Sequence, residues 1–184
     1  MLNGVKQGCT LSPLLFNVTL HYVMSRVSKN SEGIRWGPWG KLTDLDYADD
    51  ICLLTHSTRT IQTMVERSEK ESTNVGLKIN VKKSTEIRFV LNNKEPLYIC
   101  NEIIERVTQF TYLGSIIDNT GGTEADITAR IQKAQIAFSA LNKIWHSTAY
   151  SMQTKLRIFN TNVKAVLLYG CETWKNSKHI TAKL

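Results

Sequence analysis

The sequence lacks the long apolar run that a transmembrane helix requires. No stretch of about 18 consecutive apolar residues occurs in the chain, and residues 1–7 lack the apolar segment of a signal peptide. A Cys-x-x-Cys pair is missing as well, because the cysteines are far apart, at Cys9, Cys52, Cys100 and Cys171. This spacing favours buried free thiols in a reducing compartment. We therefore expect an intracellular protein that is not secreted and does not bind a membrane.

Internal repeats and low-complexity tracts are absent too, and 42% of the 184 residues are hydrophobic. This content is too high for a disordered chain, and the length suits one domain or one domain and part of a second. The net charge of +7 is concentrated near the end, because residues 123–184 contain nine lysines and arginines against three acidic residues. Nucleic-acid phosphates are one natural partner for this charge, and a solvated helical surface is the alternative.

Two adjacent acidic residues, Asp49 and Asp50, lie between an aromatic residue and an apolar run. Neighbouring side chains on a strand point to opposite faces, so only a tight turn brings the two carboxylates together. The apolar flanks predict a hairpin with Leu45, Ile51 and Leu53 buried and the carboxylates at its tip, facing a groove. Burying two such charges together is unfavourable unless cations join them, and Mg²⁺ binds carboxylates together with substrate phosphates. The pattern indicates either a two-metal nucleotidyl-transfer site or an exposed turn without chemistry.

Capping residues and apolar spacing predict one helix before this hairpin and one after it. Ser12 is a favourable N-cap and Pro13 suits the first helical position. The apolar face expected for this helix comprises Leu14, Leu15, Val18, Tyr22 and Val23. Ser57 or Thr58 is expected to cap the second helix, and Gly76 fits the left-handed position after its end.

The middle of the chain has the composition of short strands, and the end has that of helices. Residues 85–90 and 110–117 are predicted strands, with a hairpin turning at residues 101–102 between them. Their short connections predict antiparallel pairing. Thr123 and Ser151 are expected to cap two helices of a helical hairpin that ends at Gly170. The expected shared core of this hairpin comprises Ile127, Ile131, Phe138, Leu141, Leu156, Phe159 and Val163.

Four motifs follow one another in a fixed order along the chain. They are Gly4-x-x-Gln7-Gly8-x-x-x-Ser12-Pro13-x-x-x-Asn17, Tyr47-Ala48-Asp49-Asp50, Gly76-Leu77-x-x-Asn80-x-x-Lys83-Ser84 and Phe110-x-Tyr112-Leu113-Gly114. Each motif is weak alone, but in this order the chain closely resembles the reverse transcriptase domain of non-LTR (LINE-type) retrotransposons. The resemblance covers nearly the whole chain. It implies an α+β fold, with a partial polymerase palm of antiparallel sheet and packed helices in residues 1–118 and a helical thumb in residues 119–184.

The resemblance also implies catalytic and nucleotide-binding residues. Asp49 and Asp50 would be the paired palm aspartates that hold Mg²⁺ or Mn²⁺, and Tyr47 would lie beside the primer end. Lys83 would donate a proton to the leaving pyrophosphate, with the adjacent Lys82 as the alternative assignment and a solvated surface lysine as the non-functional reading. The residues expected to contact the nucleotide and the template are Gln7, Gly8, Ser12, Pro13 and Tyr47.

Further residues match segments that contact the primer and the duplex. The primer-grip hairpin would comprise Phe110, Tyr112, Leu113 and Gly114. The basic residues expected to track the nucleic-acid backbone are Arg130, Lys133, Lys143, Lys155 and Arg157. The implied partners are an RNA template, a DNA primer or duplex and deoxynucleoside triphosphates, in a nuclear or cytoplasmic ribonucleoprotein.

The resembling family has a further catalytic aspartate, on a strand well before the Gln-Gly loop. Only three residues precede that loop here, and Asp44 and Asp46 lie on the arm of the Asp hairpin itself. We therefore expect an RNA-directed DNA polymerase fragment that is inactive alone. The alternatives are a nucleic-acid-binding remnant without catalysis and an unrelated basic α+β domain.

Overall fold

The computed structural model describes residues 4–6, 8–38, 40–89, 94–175 and 178–183. It is a mixed α+β structure of helices and small two-stranded sheets, as the sequence predicts. The described residues divide into two compact units. The first unit contains the residues up to Glu86 and those from Lys94 to Val107, and the second contains residues 87–89 and those from Thr108 onward. The hairpin around Gly114 therefore belongs to the same unit as the helices that follow it.

Two helices form the core of the first unit. Helix α1 spans Ser12–Val27 and helix α2 spans Thr58–Asn74. The main cluster of buried side chains joins them and consists of Leu20, Val23, Met24, Val27 and Met64. Helix α2 begins as predicted, because the Ser57 side chain accepts a hydrogen bond from the Thr60 amide. It is followed by Gly76 with a φ of 78°, the predicted left-handed position.

The buried face of α1 differs from the predicted one. Only Val23 of the expected set is buried, whereas Leu14 and Val18 are each 60% exposed. The helix is apolar on more than one side, and the stripe that α2 covers is the one nearer its C-terminus. Ser12 is not the N-cap either. Leu11 occupies that position, and the Ser12 hydroxyl, inside the first turn, donates to the Lys6 carbonyl at 2.8 Å.

Four short strands lie between these helices as two antiparallel hairpins. The first pairs strands β1, Ile34–Trp36, and β2, Gly40–Leu42. The second pairs β3, Asp44–Tyr47, with β4, Asp50–Leu53, and it contains the acidic pair. Leu53 packs against both buried clusters of this unit and so fixes the base of the second hairpin.

The remaining strands of the first unit correct the expectation of purely antiparallel pairing. Strand β5, Thr85–Glu86, pairs in parallel with β8, Glu105–Arg106. The connection between them is long enough for a crossover because it includes a small hairpin of β6, Tyr98–Ile99, and β7, Glu102–Ile103. That hairpin turns at residues 100–101, one residue earlier than predicted. Residues 87–89 are not part of a strand, and residue 90 lies outside the described residues.

The second unit begins with a hairpin and continues with helices. Strand β9, Gln109–Tyr112, pairs antiparallel with β10, Ser115–Asp118. The α-helices that follow are α3 Glu124–Ala140, α4 Asn142–His146, α5 Met152–Ile158, α6 Ala165–Leu167 and α7 Lys178–Lys183. A π-helical segment, Phe159–Lys164, joins α5 to α6, and a 3₁₀ turn, Cys171–Thr173, follows Gly170, whose φ is 74°.

Only some of the residues predicted to form the core of the second unit are buried. Ile127 and Val163 are buried, and Ile131, Leu141 and Phe159 are half-buried. Phe138 is 44% exposed and Leu156 is 54% exposed, so the prediction that they are core residues is wrong. Helix α3 ends at Ala140 with Leu141 as its C-cap, and Phe138 stacks on Trp145 with 5.1 Å between ring centroids.

One of the two predicted helix caps of the second unit is present in the structure. Ser151 caps α5 as predicted, whereas Thr123 makes no side-chain cap because its backbone is not extended there.

Cys9 and Cys100 are free but exposed, so their predicted burial is wrong. Within the described ranges, no helix has both the length and the apolar character that crossing a bilayer requires.

Candidate functional site

The acidic pair lies at a tight turn, as predicted. Tyr47 pairs with Asp50 across the hairpin, which leaves Ala48 and Asp49 as a two-residue loop. Ala48 has a φ of 54°, in the left-handed region that two-residue hairpin turns require. The chain therefore reverses at Asp49, and the two carboxylates lie at the end of the hairpin instead of on opposite faces of a long strand.

The base of this hairpin is fixed to α1, and its tip is free. The Asp44 carboxylate accepts hydrogen bonds from Ser28, just after α1, and from the Thr43 hydroxyl. The Leu54 amide donates to the Thr43 carbonyl at 2.7 Å, which extends the pairing by one residue. The helices therefore hold the base in place, and the acidic turn projects from it.

The predicted burial of the hairpin flanks is only partly correct. Leu53 is half-buried, but Leu45 is 40% exposed, Ile51 is 41% exposed and Tyr47 is 65% exposed. The physical reason is that β3 and β4 form a two-stranded sheet in the described part of the chain, so the helices cover its base and not its tip.

The carboxylates of Asp49 and Asp50 are available for binding. Both residues are exposed, and neither side chain makes a hydrogen bond or ion pair with another described residue. Hard anionic oxygens on adjacent residues suit a divalent cation that also binds water and substrate phosphates. Among the described residues, no group of three or more possible metal-ligating side chains occurs, so this pair is a partial ligand set.

Two further acids modify the electrostatics of the same hairpin. Asp44 and Asp46 share one face of β3, because side chains two residues apart on a strand point the same way. Partial burial, followed by the charge of Asp44 and a hydrogen bond to it, raises the pKa of Asp46 from 3.8 to about 6, and His21 opposes this shift. Burial and the Asp46 charge likewise raise the pKa of the Cys52 thiol.

The predicted nucleotide-contacting loop leads directly into α1. Gly8 has a φ of 84°, and the hydrogen bond from Ser12 to the Lys6 carbonyl closes the loop around it. Pro13 lies in the first turn of α1. Gly8 and Pro13 are exposed and Ser12 is half-buried, whereas Gln7 lies outside the described residues.

The predicted catalytic lysine lies in a short 3₁₀ turn, Val81–Lys83. Lys82 and Lys83 are both exposed. No hydrogen bond or ion pair connects Lys83 to Asp49 or Asp50 in the described part of the chain.

The predicted primer-contacting segment forms the hairpin of the second unit. Phe110 and Tyr112 are half-buried on one face of β9, with 6.5 Å between their ring centroids. Leu113 and Gly114 form its two-residue turn, with φ values of 49° and 85°. This turn is the part of the hairpin that extends away from the strands.

The predicted phosphate-contacting residues fall into three groups. Lys133, Lys143 and Arg157 are exposed. Lys155 is half-buried and donates to the Trp145 carbonyl at 2.8 Å. Arg130 is only 6% exposed, so the expectation that it lies on the outer surface is wrong.

Sequence analysis missed a polar network that surrounds Arg130. Its other members are Asp126, Tyr169 and Trp174, which contact the Leu113–Gly114 turn or each other. The sequence signal available for this network was Tyr169 beside Gly170, after the last apolar helix, with Trp174 following. That signal could not have identified the acceptors, because they are backbone carbonyls.

Comparison with known proteins yields two family matches. A family described as reverse transcriptase (RNA-dependent DNA polymerase) matches residues 1–117. A domain of unknown function matches residues 137–169.

Individual relatives are similar to the chain over most of its length. A transposon-derived, uncharacterized protein of Caenorhabditis elegans is 26% identical over 78% of the chain and 52% of its own length. The Pol polyprotein of the type-1 retrotransposable element R2 of Popillia japonica is 30% identical over 65% of the chain and 21% of its own length. The RNA-directed DNA polymerase from mobile element jockey of Drosophila funebris is 24% identical over 93% of the chain and 19% of its own length. The chain thus spans about half the length of the first relative and about a fifth of the other two.

Proposed function

The chain belongs to the reverse transcriptase family, among the polymerases of non-LTR (LINE-type) retrotransposons, and on this premise we propose that it is part of an RNA-directed DNA polymerase. The reaction is the template-directed transfer of a deoxynucleotide to the 3′-hydroxyl of a primer. The partners are an RNA template, a DNA primer and deoxynucleoside triphosphates. In this proposal residues 1–118 form part of the palm, and residues 119–184 form the thumb.

One observation carries the proposal. The part of the chain that matches the family places two adjacent, exposed carboxylates at a two-residue hairpin turn, and neither has a hydrogen-bond or ion-pair partner among the described residues. Two neighbouring carboxylates at one turn can act together as ligands of a divalent cation, whose charge offsets the repulsion between like charges. A divalent cation that shares these oxygens removes the repulsion.

Asp49 and Asp50 fit a divalent cation as a partial ligand set, with substrate phosphates and water as the remaining ligands. When bound, Mg²⁺ or Mn²⁺ would activate the primer hydroxyl and neutralise charge on the leaving pyrophosphate. The protein's own contribution is to hold both carboxylates at one turn on a base that α1 and the core keep fixed. Tyr47, exposed next to this turn, would contact the primer end.

The other predicted residues would orient the substrates. Gln7, Gly8, Ser12 and Pro13 would contact the nucleotide and the template, and Gly8 permits a close backbone approach. Lys83, with Lys82 as the alternative, would donate a proton to the pyrophosphate. The hairpin of Phe110, Tyr112, Leu113 and Gly114 would contact the primer. Exposed Lys133, Lys143 and Arg157 would contact duplex phosphates, which give affinity without base specificity.

A second candidate function is nucleic-acid binding without catalysis. It is favoured by the fact that both acidic ligands come from a single turn, whereas exposed basic residues are present on several helices of the second unit. Cation binding and duplex binding distinguish the two candidates, because only the first requires the acidic pair.

The test is Mn²⁺ binding, measured by electron paramagnetic resonance, with and without a deoxynucleoside triphosphate. We expect the chain to bind Mn²⁺ more tightly when the nucleotide is present and Asp49→Asn or Asp50→Asn to weaken this binding. Glu102→Gln, at an exposed acid directly after the turn of a different hairpin in the same unit, is the matched control and should have no effect. Binding that is equal in Asp49→Asn and the control would overturn the proposal.

A further inference from the structure

The Leu113–Gly114 turn is held by side chains from two distant parts of the chain. Arg130 Nη2, on α3, donates to the Gly114 carbonyl at 2.5 Å. Tyr169 Oη, after α6, donates to the Leu113 carbonyl at 3.1 Å. The Arg130 guanidinium also lies over the Tyr169 ring, 4.5 Å from its centroid, so the two donors support each other. Both carbonyls of the turn are therefore satisfied from outside the hairpin.

A buried acid extends this arrangement to the strand after the turn. Asp126, 3% exposed, accepts a hydrogen bond from the Ile116 amide at 2.9 Å through one oxygen. Its other oxygen accepts from Trp174 Nε1 at 2.8 Å. Asp126 also lies 4.0 Å from the Arg130 Nε, in an ion pair one helical turn apart. A buried acid and a buried base thus connect the hairpin to α3 and to the segment around Trp174.

Glycine makes the close approach possible on both sides. A Cβ atom on Gly114 would lie 3.3 Å from Tyr169 Cε1 and 3.4 Å from Arg130 Nη2. A Cβ atom on Gly170 would lie 2.7 Å from the Ser115 hydroxyl oxygen, so a side chain there would force Ser115 to shift. The Tyr169 ring and Gly170 therefore pack closely against the hairpin turn and Ser115.

We propose that Arg130, Tyr169 and Trp174, acting with Asp126, are positioning residues that hold the primer-contacting turn in one conformation. The proposal rests on the proposed function, because it takes the Phe110–Gly114 hairpin as the primer contact. We call this group of four residues the turn clasp. It gives Arg130 a role inside the protein in place of the predicted phosphate contact.

Physical reasons support a need for such a clasp. A two-stranded hairpin is marginally stable by itself, and both residues of this turn have positive φ values. Burying a charged pair costs free energy that its attraction need not repay, and the Arg130 Nε makes no hydrogen bond with another described residue, so a geometric role accounts for the pair better than a gain in stability. A displacement of about 1 Å in a substrate-positioning element can lower a reaction rate roughly a hundredfold. Fixing the turn therefore fixes where the primer lies.

The experiment uses Tyr169→Phe, which removes one hydroxyl and keeps the ring beneath Arg130. Its matched control is Tyr150→Phe, at an exposed tyrosine of the same unit for which no hydrogen bond occurs among the described residues. The first readout is amide hydrogen exchange at Gly114 and Ser115. We expect exchange to be about fivefold faster in Tyr169→Phe, which corresponds to the loss of one hydrogen bond, and unchanged in Tyr150→Phe.

The second readout is crosslinking to a primer–template duplex. A photoreactive amino acid replaces Thr111, an exposed position of β9. Without any other substitution, the chain should crosslink to a narrow set of primer nucleotides. Tyr169→Phe and Trp174→Phe should broaden this set, whereas Tyr150→Phe should not. Because a role in overall folding would lower total crosslinking without moving it, the position of the crosslink separates positioning from stability.

The possible outcomes distinguish the two proposals. Crosslinks that stay at the same nucleotides in Tyr169→Phe, or unchanged amide exchange, would overturn the turn clasp and leave the proposed function intact. If the chain with the photoreactive residue at position 111 and no other substitution forms no crosslink, the primer contact itself is overturned, and the positioning role with it.

Discussion

Asp46 shows how a single carboxyl is affected by its place in the acidic hairpin. Partial burial and the charge of Asp44 disfavour the ionised form of Asp46, and its pKa is therefore raised to about 6. A carboxyl whose pKa is higher in the folded state than in the unfolded state holds its proton more tightly when folded. Its ionisation therefore destabilises the fold as the pH rises.

We expect Asp46→Asn to increase stability at neutral pH and to leave it nearly unchanged below pH 3.8, the ordinary pKa. Between these values the unmodified chain loses stability as the pH rises towards about 6, because the unfolded chain releases a proton that the folded one retains. Thermal melting at a series of pH values measures this. If Asp46→Asn lowered the melting temperature at pH 7 as much as at pH 4, the assignment of an unfavourable charge to Asp46 would be wrong.

At the scale of secondary structure, the sequence predicts local features better than packing. Ser57 and Ser151 cap helices, Gly76 and Gly170 are left-handed, and the acidic pair lies at a turn, because neighbouring residues determine each of these features. The buried side of α1 was not predictable in the same way. That helix has two apolar stripes, and α2, from a distant part of the sequence, determines which one is covered.

The same difference between local features and long-range contacts holds for the candidate site. The hairpin turn of Asp49 follows from sequence patterns. The single strand predicted over residues 110–117 is wrong, because the Leu113–Gly114 turn divides it into β9 and β10. The burial of Arg130 does not, because its partners are a backbone carbonyl 16 residues away and the ring of Tyr169. The parallel β5–β8 pair was missed for a similar reason, since a small hairpin inside the connection makes the crossover possible.

Ser151→Ala should destabilise the second unit by about 1 kcal/mol, since it removes a side-chain acceptor from the Thr154 amide. Thr123→Ala is the matched control, because Thr123 precedes α3 without making a side-chain cap. Urea unfolding followed by circular dichroism measures both free energies. Equal losses in the two variants would mean that capping does not explain the effect at Ser151.

At the scale of the whole molecule, charge is the property on which the proposed nucleic-acid binding depends. The chain carries a net charge of +7, and the second unit has exposed cations at Lys133, Lys143 and Arg157. These side chains are free to replace counterions on a duplex, whereas the Arg130 guanidinium is bonded within the protein. The affinity for a duplex should therefore fall steeply with salt and depend little on base sequence.

Lys143→Gln and Arg157→Gln should each weaken binding to an RNA–DNA duplex by a similar factor for all sequences. Each should also reduce the slope of log affinity against log salt by about 1, which is the effect of losing one phosphate contact. Lys70→Gln, the same charge change at an exposed position of α2, is the matched control and should leave the slope unchanged. Fluorescence anisotropy over a range of salt concentrations provides the data, and a loss confined to one base sequence would contradict phosphate contact.

The last prediction is that the 184-residue chain binds a primer–template duplex without extending the primer measurably. Two-metal nucleotidyl transfer holds ions about 3.5–4 Å apart on the line of attack, which requires ligands from more than one backbone element. Asp49 and Asp50 come from one turn, and the described residues contain no cluster of three possible metal-ligating side chains. The primer hydroxyl would therefore be poorly activated, even where the duplex is correctly bound. Primer extension with Mg²⁺ or Mn²⁺ is the measurement, and Asp49→Asn is the control for contaminating polymerase. Template-dependent extension by the purified chain that disappears in Asp49→Asn would show that these two carboxylates suffice with ligands supplied by the substrates.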